Sequence, residues 1–154
     1  MRTYAVTFSA VSVSAAQDLF EISPASNKPI EIVGIELGQS SDAADAQDEL
    51  LQISIIRGHS SSGSGGSSPT PAPMSPNAAA AGFTAETNNT TAASAGTTAT
   101  LHTGCWNVRA GYINWFPEDA RPAATAGNLS LVVRQTAPAD AITMSGTLYV
   151  RELA

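Results

Sequence analysis

The chain has 154 residues, with thirteen acidic against seven basic side chains, a formal charge of −6 and 13% charged residues. That length suits one domain, 1–154, and the acidic balance argues against a phosphate-neutralising surface and hence against nucleic acid as a partner. One cysteine excludes an intrachain disulfide or a Cys-rich zinc site, two histidines do not supply a multi-histidine metal centre, and no apolar run is long enough to cross a membrane as a helix.

Ala (27), Ser (18) and Thr (15) dominate, so the chain is built from small, neutral, β-tolerant residues rather than from the highly charged ones of a disordered polymer. Met1-Arg2, the run 4–13 and Ser14-Ala15-Ala16 have the outline of a secretory leader. Thr7, Ser9 and Ser12 interrupt that run, however, while Tyr4, Val6, Phe8 and Ala10 alternate with polar residues. A period of two reads as a first strand. Period-two patterning recurs at 18–23, 30–37, 50–57, 97–103, 106–116, 128–136 and 143–152. In the 30–37 run the apolar phase switches at Val33-Gly34, which predicts a bulge. Short strands separated by Gly and Pro predict an all-β sandwich of the jelly-roll kind. Helix signals are confined to 41–50 and to four alanines at 78–81, too few to hold a helix alone.

Two segments are low in complexity. Residues 59–76 read HSSSGSGGSSPTPAPMSP, flexible in the first half and polyproline-like in the second. Too long for a hairpin loop, the stretch 59–77 is expected to be an extended arm, with a neighbouring subunit as its natural anchor. Its Pro-Thr-Pro-Ala-Pro at 69–73 could also present a polyproline ligand to an SH3-type groove, though a structural arm is the simpler reading. Residues 86–100 read as a polar loop feeding a Thr-rich strand.

Few side chains advertise chemistry. Asp42, Asp45, Asp48 and Glu49 form the densest charge cluster; they are weak Ca²⁺ candidates, lack the EF-hand spacing, and are read as a solvated, acid-capped turn, so no metal and no cofactor are expected. His59 and His102 have no nearby ligand partner, and Cys105 beside Trp106 is expected to be an inert packing residue. No G-x-S-x-G elbow occurs, Gly63–Gly66 lacks the Lys of a phosphate loop, and the adjacent Glu118-Asp119 cannot oppose each other across a sugar. No enzyme is expected. Asn88, Asn89 and Asn128 are glycosylation sequons that matter only in a secretory pathway.

Aromatic residues concentrate instead at 106–116. Read as one strand, Trp106, Val108, Ala110 and Tyr112 share one face while Arg109, Gly111, Ile113 and Trp115 share the other. One face fills a core; the other could lie at a subunit interface, where Trp, Tyr and Arg concentrate, or stack on sugars. The expected contact residues are Pro69, Pro71, Pro73 and Met74 in the arm, with Trp106, Tyr112, Trp115 and Phe116 in the aromatic segment.

GQSSDAADAQDELLQISIIRG at 38–58, SGSGGSSPTPAP at 62–73, AAAAGFTAETNNTTAASAG at 78–96 and PADAITMSGTLYVRE at 138–152 resemble small structural proteins of tailed phages and prophages. The resemblance covers most of the chain and is carried by composition, with no catalytic signature. It implies a virion component, in the first place a capsid decoration (cement) protein on the phage head surface. The chain would be made in the host cytoplasm without a signal peptide and assemble as a homotrimer on the major capsid protein. The competing expectation is a carbohydrate-binding, host-surface-recognising sandwich module of a head or tail fibre. It calls for an exposed aromatic platform.

Overall fold

The computed structural model describes residues 1–41, 49–125 and 130–153. The strands in chain order are β1 (Arg2–Val13), β2 (Gln17–Ser23), β3 (Ile30–Gln39), β4 (Leu50–His59), β5 (Ala72–Pro73), β6 (Thr84–Asn89), β7 (Ala99–Asn107), β8 (Tyr112–Trp115), β9 (Ala123–Ala124), β10 (Ser130–Gln135) and β11 (Ile142–Glu152). A single 3-10 turn, Glu118–Ala120, is the only helical element among the described residues. The alanines at 78–81 form no helix, as expected of a run too short to offset the cost of nucleation.

Two antiparallel sheets pack face to face as a β-sandwich. The first has the order β5-β1-β11-β3-β8, with β9 also on β3; the second has the order β6-β2-β10-β4-β7. Alternation along each strand sends one set of side chains into the space between them. Tyr4, Val6 and Phe8 of β1, Ile30, Ile32 and Ile35 of β3, and Leu148 and Val150 of β11 meet Phe20, Ile22, Ile53, Ile55, Leu131 and Val133 of the opposite sheet. Phe8 and Phe20 lean together across the gap at 5.2 Å between ring centres. The phase switch at Val33-Gly34 is a bulge: Tyr149 pairs with Gly34 and Val150 with Ile32, leaving Val33 as the extra residue. Ile32 and Ile35 can therefore both face the core.

The expectation for 106–116 is corrected: these residues are not one strand. β7 ends at Asn107, a turn follows, and β8 starts in the other sheet at Tyr112. Gly111, at φ +75°, and the backbone bond Ala110 N–H to Asn107 O make the turn possible. The extended loop expected at 59–77 is present, and it is anchored on its own chain: it runs antiparallel to β6 and the segment after it, with bridges Ser61–Ser94, Ser64–Thr91 and Ser67–Thr87, and then adds β5 to the edge of β1. The segment expected to be a polar loop thus supplies β6, which pairs with β2 from Asp18–Asn89 to Ser23–Thr84. The glycines explain the docking. A Cβ on Gly66 would stand 2.1 Å from the Thr87 carbonyl oxygen, and one on Gly63 2.7 Å from that of Thr91.

Candidate interaction surfaces

The strap formed by 60–67 and 87–97 is fastened by carboxylates buried on β2. Asp18 accepts from the Ala93 amide at 2.7 Å and from Arg134 Nε and Nη2 at 2.6 and 3.1 Å, while Arg134 Nη2 also donates to Ala93 O. These bonds raise the Arg134 pKa above its ordinary value, the hydrogen bond to Asp18 being the main cause. Glu21 accepts from Gly63 N–H at 2.9 Å and from the Asn89 amide at 3.1 Å, and Gln17 donates to Asn88 at 3.0 Å. Asn88 and Asn89, noted as sequons, are buried structural amides, and Asn128 lies outside the described residues. Glu21, His59, Ser60, Ser62 and Ser130 border a cavity of about 200 Å³. His59 is buried at the end of β4, and neither ring nitrogen has a protein partner. The cavity is polar and has room for ordered water.

The opposite side of the sandwich is built differently. Among the described residues no strand pairs with the outer edge of β7 or of β8. Side chains close the gap instead: His102 Nε2 lies 2.7 Å from the Tyr112 hydroxyl and 3.4 Å from the Asn114 amide, and its ring meets Phe116 edge-on at 5.1 Å. Burial lowers the His102 pKa, and burial also raises that of Tyr112 against the opposing effect of Asn114. The imidazole is thus held neutral.

On the outer face of the first sheet, Trp115 of β8 pairs with Gly34, and Gly34 pairs with Tyr149 of β11. Because Gly34 has no side chain, the indole lies down over it. A Cβ there would fall 2.5–2.9 Å from three ring atoms. The indole reaches Tyr149 and stacks on it, with centroids 4.9 Å apart and planes 27° apart. Trp115 remains 52% exposed and its strand neighbour Ile113 70%.

The sequence-derived contact residues therefore separate. Trp106 and Phe116 belong to the core, since the register turns them inward against Leu51 and the sandwich interior. Tyr112 is half-buried against His102, and Trp115 alone of the four faces outward. Pro69 lines a cleft of about 400 Å³ beside β1, Pro71 is half-buried, Pro73 pairs with Tyr4, and Met74, whose amide donates to Thr3 O, is exposed. Residues 69–73 are thus docked on their own chain rather than offered as a polyproline ligand. Cys105 corrects the expectation of a packed thiol: it is exposed, because Trp106 takes the inward position next to it. Asp42, Asp45 and Asp48 lie outside the described residues. Glu49 lies within them and accepts from the Ala139 amide. Among the described residues no three His, Cys, Asp or Glu side chains converge to hold a metal. Glu118 and Asp119 are exposed in the 3-10 turn. Reasoning from the sequence missed Tyr149 and Gly34. The parity of Ile113 and Trp115 was visible, but not the partner strand that a glycine would leave bare.

The chain matches no known protein-family model, and no curated protein is significantly similar to it.

Proposed function

We propose that the protein is a non-enzymatic structural component of a phage virion, a capsid decoration protein that braces the head surface as a homotrimer seated on the major capsid protein. The observation that carries this reading is the contrast between the two sides of the sandwich. One side is sealed by the strap and β5. The other presents the edges of β7 and β8, unpaired among the described residues, whose sequences ATLHTGCWN and YINW hold no Asp, Glu, Lys or Arg in a chain of charge −6. Exposed sheet edges are normally blunted by charge, proline or a covering segment. An uncharged edge with Leu101, Thr103 and Cys105 exposed is suited to meeting another copy of an acidic chain, because like charges need not be brought together.

The resemblance to phage structural proteins gives this assembly its context. The strand pairing supports the jelly-roll reading of the sandwich. With β5, β6 and β9 set aside, the eight remaining strands pair first with last, second with seventh, third with sixth and fourth with fifth. Such a body is compact, and its clamp function requires burial of area rather than chemistry.

Light scattering coupled to size exclusion across a concentration series tests the reading. A trimer that persists on dilution is expected, together with co-sedimentation with capsid shells. Thr103→Glu, on the exposed side of β7, is expected to yield monomers with an unchanged melting temperature. A monomer at every concentration, or shells that leave the protein in the supernatant, would overturn it.

A further inference from the structure

We propose that the outer face of the first sheet carries a saccharide-binding site centred on Trp115, and that its ligand is a neutral, β-linked hexopyranose chain. This goes beyond the assembly reading: it shares β8 with that reading but uses the outward sheet face of β3, β8 and β11 rather than the β7 and β8 edges.

Three features of the face argue together. First, the indole packs over Gly34 and stacks on Tyr149, and even so held it stays 52% exposed. A flat, half-exposed, immobilised ring offers a stacking surface to the axial C–H groups of an equatorially substituted pyranose, and ordering costs little because the ring is already held. Second, hydrogen-bonding groups flank the ring in both directions along β3. Glu36 stands one pleat away, paired with Ile113 on one side and Thr147 on the other. Beyond the Val33 bulge, Glu31 accepts from Arg121 at 2.7 Å and lies 3.2 Å from Arg151 Nη1. Half-buried Glu36 can accept from a sugar hydroxyl, while buried Glu31 is matched by its arginines, so that flank offers guanidinium N–H groups rather than a carboxylate. Such charged flanks do not suit the centre of a protein interface, which is depleted of charge.

Third, the charge pattern selects the ligand. Glu31 is already matched by two arginines, whereas Glu36 leaves the other flank acidic, and the chain as a whole carries −6. Sialylated or sulfated glycans are therefore disfavoured and neutral ones preferred. Beside the ring the face holds an open groove of about 460 Å³ bordered by Glu36, Gly38, Ile113 and Thr147, and Ile113 extends the apolar surface along β8 into it. An extended, ribbon-like β-linked oligosaccharide fits this shape better than a curved α-linked one.

The test is a titration of the full chain with cellohexaose and N-acetylchitohexaose, with maltohexaose and sialyllactose as controls, read on the two indole N–H resonances. Trp106 is buried and acts as the internal reference. A saturable shift of the Trp115 resonance with a neutral β-linked probe is expected, in the sub-millimolar to ~1 mM range of weak binding. Trp115→Ala is expected to weaken binding at least about tenfold, Trp115→Phe to retain part of it, and Gly34→Ala to weaken it by lifting the ring. Light scattering on the same samples separates this result from assembly: Thr103→Glu is expected to leave the titration unchanged. No Trp115 shift with either neutral β-linked probe, equal binding by Trp115→Ala, or acrylamide quenching that finds Trp115 shielded between copies would each overturn the proposal.

Discussion

The buried carboxylate of Asp18 and the guanidinium of Arg134 meet through two parallel hydrogen bonds, and each partner also holds the backbone of Ala93. A residue on β2, another on β10 and the strap that crosses outside them are thereby locked in one arrangement. The bidentate geometry needs a planar fork, which arginine has and lysine lacks.

Removing the carboxylate should expose how much of the fold depends on that lock. Asp18→Ala leaves Arg134 without its partner and the Ala93 amide without an acceptor. A loss of about 3 kcal/mol is expected, the scale for breaking one side of a buried pair. Urea unfolding measures the loss, and proteinase K should begin to cut the variant within 88–97. A variant as stable and as resistant as the parent would show that the strap is held by something else.

The glycines of the strap make a paired test with a built-in control. Gly66→Ala places a methyl group 2.1 Å from the Thr87 carbonyl oxygen, so the two backbones must separate. A destabilisation of about 1–3 kcal/mol is expected. Gly38→Ala meets nothing within 4 Å and should change stability by less than about 0.5 kcal/mol. Thermal melts of both variants check the difference; equal effects would contradict the close packing of strap and β6.

The His102–Tyr112 pair sets a pH window for closure of the open side. Burial holds His102 below its ordinary 6.5, so the unfolded chain takes up the proton first as pH falls. Its contribution is full above 6.5 and is lost as pH drops through the lower folded value. Tyr112 is held above its ordinary 10.0, so its contribution is lost as pH rises past 10.0, where the unfolded chain ionises first. Equilibrium unfolding between these limits should show a plateau whose acid edge flattens in His102→Gln. An acid edge identical in the variant would assign that edge to the carboxylates alone.

Cys105 should react without unfolding. It is exposed on β7, so one thiol per chain is expected to titrate with a disulfide reagent in native buffer, at a rate that urea raises little. Slow reaction in a concentrated sample and fast reaction on dilution would place β7 inside the contact between copies. A thiol that reacts only in urea at every dilution would contradict the exposure.

Local pattern determined much of this protein. Period-two alternation in 4–13, 30–37, 50–57 and 143–152 marks strands because a pleated chain with one buried face has no other economical arrangement, and the phase switch at Val33-Gly34 marks the bulge for the same reason. Tertiary structure alone decided what depends on residues far apart in sequence. A serine-, glycine- and proline-rich stretch carries no period, so its docking could not be read locally; it followed from Asp18 and Glu21 offering acceptors to backbone amides more than forty residues away. The aromatic segment looked like one strand because alternation does not reveal where a chain leaves one sheet for the other. That exit turned Trp106 and Phe116 into core and left Trp115 outside, where a glycine on β3 and a tyrosine on β11 made room for it.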